Sequence, residues 1–192
     1  MQYYDFIDAP SDVKSLIHSI NLHGDNLVGL ELGVFRGASF CTLLQNCPNI
    51  KTLYGIDSWQ PYKDYLKEPY DGNTWAYDMD EKEIKFIRLQ ALHNIEYSGY
   101  KQKAVIIEKD SDDALDDFQD QSLDFIFVDA YMTYEQAVND MEKWYPKLKE
   151  GGLFTGHDYH ISAIKNAVAY FRKSQNINSR MSTFDKCFIW KK

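Results

Sequence analysis

Short apolar runs alternate along this chain with longer stretches in which apolar residues recur every three or four positions. The runs at 27–32, 52–57, 104–108, 123–129 and 153–156 suit strands buried on both faces. Between them the spacing predicts helices. Val13, Leu16, Ile17 and Ile20 form one apolar stripe after a start signal at Pro10-Ser11-Asp12, with His18 off the stripe and solvated. A helix over about 38–46 follows the first strand. Another begins near Asp80 and carries Ile84, Ile87, Leu89, Leu92 and Ile95. An acid-rich helix after Asp110 is expected to bury Ala114, Leu115 and Phe118, with its aspartates on a solvated face. Thr133 and Gln136 make a capping box for a helix whose stripe runs Ala137, Val138, Met141, Trp144, Tyr145 and Leu148. Gly151-Gly152 turns the chain into the fifth strand, and Ile164, Ala167, Val168 and Phe171 face inward from the last helix. The tail, 180–190, reads as two short β segments about Asp185-Lys186. Strand-helix alternation of this kind gives an open α/β sheet.

The corner after the first run is the most informative stretch. In Glu31-Leu32-Gly33-Val34-Phe35-Arg36-Gly37-Ala38-Ser39 a strand breaks into a turn with two glycines and then a helix N-terminus. Such a corner presents free N–H groups to a ligand and lets the backbone approach it closely, or it holds nothing and merely turns the chain. The spacing is Gly-x-x-x-Gly, not the Gly-x-Gly-x-x-Gly of dinucleotide binders. The second strand ends in Asp57, where a ribose diol would donate two hydrogen bonds to a carboxylate if an adenosine lay in the corner. Asp110-Ser111 after the third strand could meet an adenine edge. Asp129 ends the fourth strand, and His157-Asp158 end the fifth.

Composition narrows the partners. The chain has 192 residues, 44% of them apolar and 15% aromatic, and a formal net charge of −8. One domain, 1–192, accounts for that length. The negative charge disfavours nucleic acid and anionic membranes, so a small-molecule substrate is expected; oligomeric state is not legible. Cys41, Cys47 and Cys187 lack Cys-x-x-Cys spacing and read as buried thiols of a reducing compartment. With no charged-then-apolar leader and no apolar run of membrane length, a cytoplasmic protein is expected. Residues 59–78, with Trp59, Tyr62, Tyr65, Tyr70, Trp75 and Tyr77, interrupt the rhythm. With the following helix they read as an insertion over 59–97, either covering the substrate side or forming a flap packed by its own aromatics.

The phrases ELGVFRGAS, GIDSW, DFIFVDAYMTYEQAVNDMEKWYPKLKEGG and GHDY resemble class I S-adenosylmethionine-dependent methyltransferases, of the small family that includes sugar and macrolide O-methyltransferases. The first phrase is similar to that class's Glu-x-Gly-x-Gly-x-Gly motif, with Phe35 at the middle glycine. The resemblance implies a Rossmann-like, seven-stranded, mostly parallel sheet with helices on both faces and an antiparallel C-terminal strand. It implies that Glu31, Gly33, Gly37 and Ser39 surround the methionine end of the methyl donor. Asp57 and Trp59 would hold ribose and adenine, Asp110 and Ser111 would lie on the adenine side, and Asp129 would sit beside donor and acceptor. Two positions depart from the family pattern: Met132 stands where a histidine or lysine base is usual, and Tyr159 where catechol-type relatives have asparagine.

The expected activity is O-methylation of a small polar metabolite such as a sugar. An alcohol acceptor must lose a proton, by one of two routes. Asp129 and Asp158, on neighbouring strands about 4.8 Å apart, could ligate Mg²⁺ or Ca²⁺ and acidify the acceptor. Otherwise His157 or His160 would act as general base. Two alternatives remain open: a nicotinamide-dependent oxidoreductase on a similar sheet, and a donor-binding module without chemistry.

Overall fold

The computed structural model describes residues 13–61, 79–130, 133–184 and 186–192. Their order is α1 (Lys14–Asn21), β1 (Leu27–Leu32), α2 (Ala38–Asn46), β2 (Ile50–Ile56), α3 (Glu81–Tyr97), β3 (Ala104–Ile107), β4 (Leu123–Val128), α4 (Tyr134–Trp144), β5 (Leu148–Gly156), α5 (Ser162–Ser174), β6 (Met181–Phe184) and β7 (Cys187–Lys191). The strands form one seven-stranded sheet in the order β3-β2-β1-β4-β5-β7-β6. The five strands β3, β2, β1, β4 and β5 are parallel, and β7 is antiparallel to both neighbours. The expected sheet and its antiparallel C-terminal strand are both present.

Successive residues of each central strand point to opposite faces, and both faces are covered. Phe125 and Phe127 of β4 pack with Leu16, Ile20, Phe40, Leu43, Ile87 and Ala91, so α1, α2 and α3 share one face. Ile126 between them packs with Met141, Trp144, Val168 and Phe171 of α4 and α5 on the other. α3 therefore serves as the crossover between β2 and β3, started by a full capping box between Asp80 and Glu83. Residues 62–78 of the expected insertion lie outside the described residues, as does the expected helix start at Pro10-Ser11-Asp12. The three cysteines are buried. No described helix is long and apolar enough to cross a membrane.

Two expectations fail locally. The acid-rich helix after Asp110 is only a 3₁₀ turn over Leu115–Asp117. Aspartate is a poor helix former because its carboxylate competes for nearby N–H groups. Here Asp110 Oδ1 accepts the Asp112 N–H at 3.1 Å, and Asp112 itself reaches across to Lys143 on α4 at 2.6 Å. β5 also begins five residues early, at Leu148, and runs through Gly151-Gly152. Hydrogen bonds from Gly151 N to Lys192 O and from Lys192 N to Gly152 O fasten that part of the strand to the C-terminal residue.

Candidate functional site

The strand order reverses between β1 and β4, and the crevice outside their carboxyl ends is where open α/β sheets take ligands. Gly33 leaves β1 at φ +86°, and a Cβ built there would lie 2.1 Å from the Asp129 carbonyl oxygen. The glycine is thus required by the closeness of the β4 backbone. Gly33→Ala is expected to cost about 3 kcal/mol or more, from the clash together with left-handed strain; thermal and urea unfolding measure it. Gly37, at φ +78°, caps α2, and a Cβ built there would lie 3.6 Å from the Ala91 Cα of α3.

Phe35, at the position matched to the middle glycine, has φ +49°. That left-handed backbone explains why glycine suits the position, and this chain supports it with hydrogen bonds instead. Asp57 Oδ2 accepts the Phe35 N–H at 2.7 Å, Asp57 Oδ1 accepts the Trp59 N–H at 2.8 Å, and the Trp59 indole N–H donates to the Phe35 carbonyl at 2.9 Å. Trp59 is buried behind the loop rather than standing as an open platform. Burial pushes the Asp57 carboxyl above the ordinary carboxylate range, and the N–H bonds from the loop oppose that push.

Glu31 is fully buried on the α1–α3 face. Its Oε1 accepts from Ser39 Oγ at 2.5 Å, while Oε2, equally enclosed, has no hydrogen-bond partner among the described residues. Burial holds this carboxyl well above its usual range, and the charges of Asp129 and Asp57 add to the effect.

Across the crevice, the Asp129 N–H donates to Leu32 O and the His157 N–H to Val128 O, so the sheet register itself sets both residues. His157 Nδ1 lies 3.4 Å from Asp129 Oδ1 and 3.1 Å from Asp158 Oδ1, and His160 Nδ1 lies 3.8 Å from the latter oxygen. Burial alone would lower the His157 pKa. Hydrogen bonds and charge from the two carboxylates outweigh it and push the value up to about 10. The imidazole is then a cation at neutral pH, a donor rather than a base. One atom each from Asp129, His157 and Asp158 lies within 4.8 Å of the others, a spacing that would admit a metal ion.

Asp110 and Ser111 follow β3, and the Ser111 hydroxyl donates to Asp140 Oδ1 on α4 at 2.9 Å. Gln136 gives Asp140 a second donor at 3.2 Å, so it does not complete the capping box expected with Thr133. The Thr133 hydroxyl still accepts the Gln136 N–H. Asp140 is fully buried, and burial, with added charge from Asp112 and Asp110, pushes its pKa up to about 7 against those two donors. Folding therefore favours the protonated form. The stability this gives is complete below about pH 4 and is lost as pH rises through 7. Asp140→Asn is expected to flatten that slope, gaining about 2.5 kcal/mol over wild type between pH 5 and pH 8 in urea denaturation.

Residues 30–159, which hold all of these groups but His160, match the family described as a methyltransferase domain. The chain belongs to that family. A protein of Sinorhizobium fredii named y4gI is 28% identical over 135 residues, 69% of this chain and 13% of its own length. Protein R132 of Acanthamoeba polyphaga mimivirus is 26% identical over 137 residues, 70% of this chain and 52% of its own. The chain thus spans about half the length, or less, of the curated relatives it matches. Among solved structures, the O-methyltransferase NovP has the same fold: TM-score 0.66 and 22% identity, over 97% of this chain and 78% of that one.

In this methyltransferase domain the crevice brings together Glu31, Gly33, Ser39, Asp57, Asp129, His157 and Asp158, all singled out from sequence. Asp110 and Ser111 turn their side chains to their own loop and to α4. Phe35 as a clamped left-handed residue and Asp140 as a buried acid were not anticipated. Asp140 did carry a signal, since it sits on the apolar stripe of Ala137, Met141 and Trp144.

Proposed function

We propose that this methyltransferase domain moves a methyl group from S-adenosylmethionine to a hydroxyl of a small metabolite. The observation that carries the reading is Glu31, a buried carboxylate with one unpartnered oxygen, in a crevice also walled by Asp57 and Asp129. Burying such a group without a partner is costly, and a cationic ligand would relieve the cost. The donor fits: when bound it supplies an ammonium group and a methyl on a positively charged sulfur. Glu31 and Ser39 would hold its amino-acid end beside Gly33 and Gly37, and Asp57 its ribose. Each Asp57 oxygen already accepts one loop N–H and keeps a lone pair for a ribose hydroxyl.

Asp129 stands at the reacting end. With His157 held as a cation between two carboxylates, the group that takes the acceptor's proton is a carboxylate, Asp129 or Asp158, rather than the imidazole. A second reading places a divalent metal on Asp129, His157 and Asp158, where it would take the place of the imidazole's proton. A nitrogen among the donors suits Mn²⁺, Fe²⁺ or Zn²⁺ better than Ca²⁺ or Mg²⁺, which prefer oxygen alone. The family match leaves the nicotinamide-dependent alternative without support.

Calorimetry with S-adenosylhomocysteine tests the donor site. One-to-one binding is expected, weakened about tenfold or more in Glu31→Gln, which loses the charge that a bound ammonium would meet. No heat and no shift in unfolding temperature at millimolar ligand would remove the proposal.

A further inference from the structure

Glu31 ends β1 with its carboxyl sealed from water. Ser39 of α2 is its one hydrogen-bond partner among the described residues, at Oε1, and Oε2 has none. The charges that act on it stand at other strand ends: Asp129 after β4, Asp57 after β2 and His157 after β5, two anions against one cation. That cation is already shared between Asp129 and Asp158. From α2 comes also the Cys41 thiol, kept neutral because burial pushes its pKa up to about 12. α1 and α3 turn Leu16, Ile20, Ile87 and Ala91 to this face of the sheet, none of them ionisable. An ionised carboxyl so enclosed gives up its hydration with little in return, and a neutral one gives up far less. Burial accordingly raises this carboxyl well above its usual range, and Ser39 and His157 oppose the rise only in part.

We propose that Glu31 carries a proton in the ligand-free protein and releases it when the donor's ammonium group binds. The inference rests on the methyltransferase reading of this corner and adds a coupling to it. The exchange balances: the carboxyl O–H bond breaks, the proton passes to the buffer, and the ammonium offsets the charge left on the carboxylate. Contact between the two is not required, because an opposite charge within about 4–6 Å already favours the ionised form. Two consequences follow for binding. The complex holds one proton fewer than its separated components, so donor affinity rises with pH, by up to tenfold per pH unit while the free Glu31 is protonated. Adenosine derivatives without an ammonium leave the proton in place, so Glu31 adds nothing to their binding as pH rises.

Calorimetry of the whole chain with S-adenosylhomocysteine, repeated near pH 6.5 in buffers of different ionisation enthalpy, counts the protons released per ligand bound. About one is expected. The same titration with 5′-methylthioadenosine, which keeps ribose and adenine but lacks the amino-acid end, should release none. That comparison uses only the wild-type protein, and it separates Glu31 from Asp57, which faces the ribose. Between pH 6 and pH 7, S-adenosylhomocysteine affinity should rise by up to about tenfold in the wild type and stay flat in Glu31→Gln. An infrared difference spectrum should show a carboxylic-acid C=O band lost on binding, and no such loss in the variant. Binding without proton release, and with no pH dependence, overturns the coupling and leaves the donor site standing. Equal release with 5′-methylthioadenosine places the proton at the ribose end and overturns the coupling as well. If S-adenosylhomocysteine does not bind at all, the methyltransferase reading falls and the coupling falls with it.

Discussion

Asp57→Ala is expected to lower affinity for S-adenosylhomocysteine at least 100-fold and to reduce the unfolding temperature by several degrees. The size of the effect follows from the double duty of this carboxylate. Its two oxygens hold the N–H groups of Phe35 and Trp59, and they are the acceptors proposed for the ribose. Hydrogen bonds to an ionised acceptor contribute about 1.5–3 kcal/mol each. Losing two also frees Phe35, whose left-handed backbone depends on them. The variant therefore loses ligand contacts and the shape of the loop that makes the corner. Asp57→Asn keeps one acceptor oxygen and the side-chain volume, so its affinity should fall between the two. Calorimetry beside thermal unfolding separates the contributions, and unchanged affinity in the alanine variant would show that the adenosyl group is held elsewhere.

Asp129→Asn is expected to reduce methyl transfer about 1,000-fold while donor affinity stays within about fivefold. The substitution keeps the side-chain shape and the Asp129 backbone that abuts Gly33, and it removes a negative charge. Either proposed chemistry needs that charge, to accept the acceptor's proton or to ligate a metal. The two part company on chelation. Dialysis against a strong chelator should bring the wild-type protein down to the level of the variant if Asp129, His157 and Asp158 hold an ion, with Mn²⁺ restoring turnover. Turnover that survives chelation leaves the carboxylate acting alone. A donor-binding domain that shows no turnover across a panel of hydroxyl acceptors would support a module without chemistry.

Much of the sheet was legible because its signals are local. β1 and β4 read correctly since apolar runs between breakers fit only strands covered on both faces. The helix α5 and most of α4 read correctly because their stripes match a 3.6-residue period, although α4 ends at Trp144, before the Tyr145 and Leu148 that its stripe included. The turn after Asp110 misled because aspartate and leucine spacing imitates a helix, while the side chains of Asp110 and Asp112 bond elsewhere. The early start of β5 was hidden because glycine pairs signal turns, and only Lys192 at the far end of the chain reveals that this pair is held in the sheet.

By itself the sequence determined the strand-glycine-helix corner and the acids that end the second, fourth and fifth strands. Both follow from local periodicity and from what a glycine-containing turn permits. Tertiary structure decided which partners those acids meet. Asp57 faces the Phe35 loop, His157 stands between Asp129 and Asp158, Ser111 turns to Asp140, and Glu31 keeps one oxygen alone. Those outcomes depend on strand order and register, which place groups from distant parts of the chain within one hydrogen bond of each other. A buried carboxylate's behaviour is set by such neighbours and by exclusion of water, and neither is a property of its own stretch of sequence.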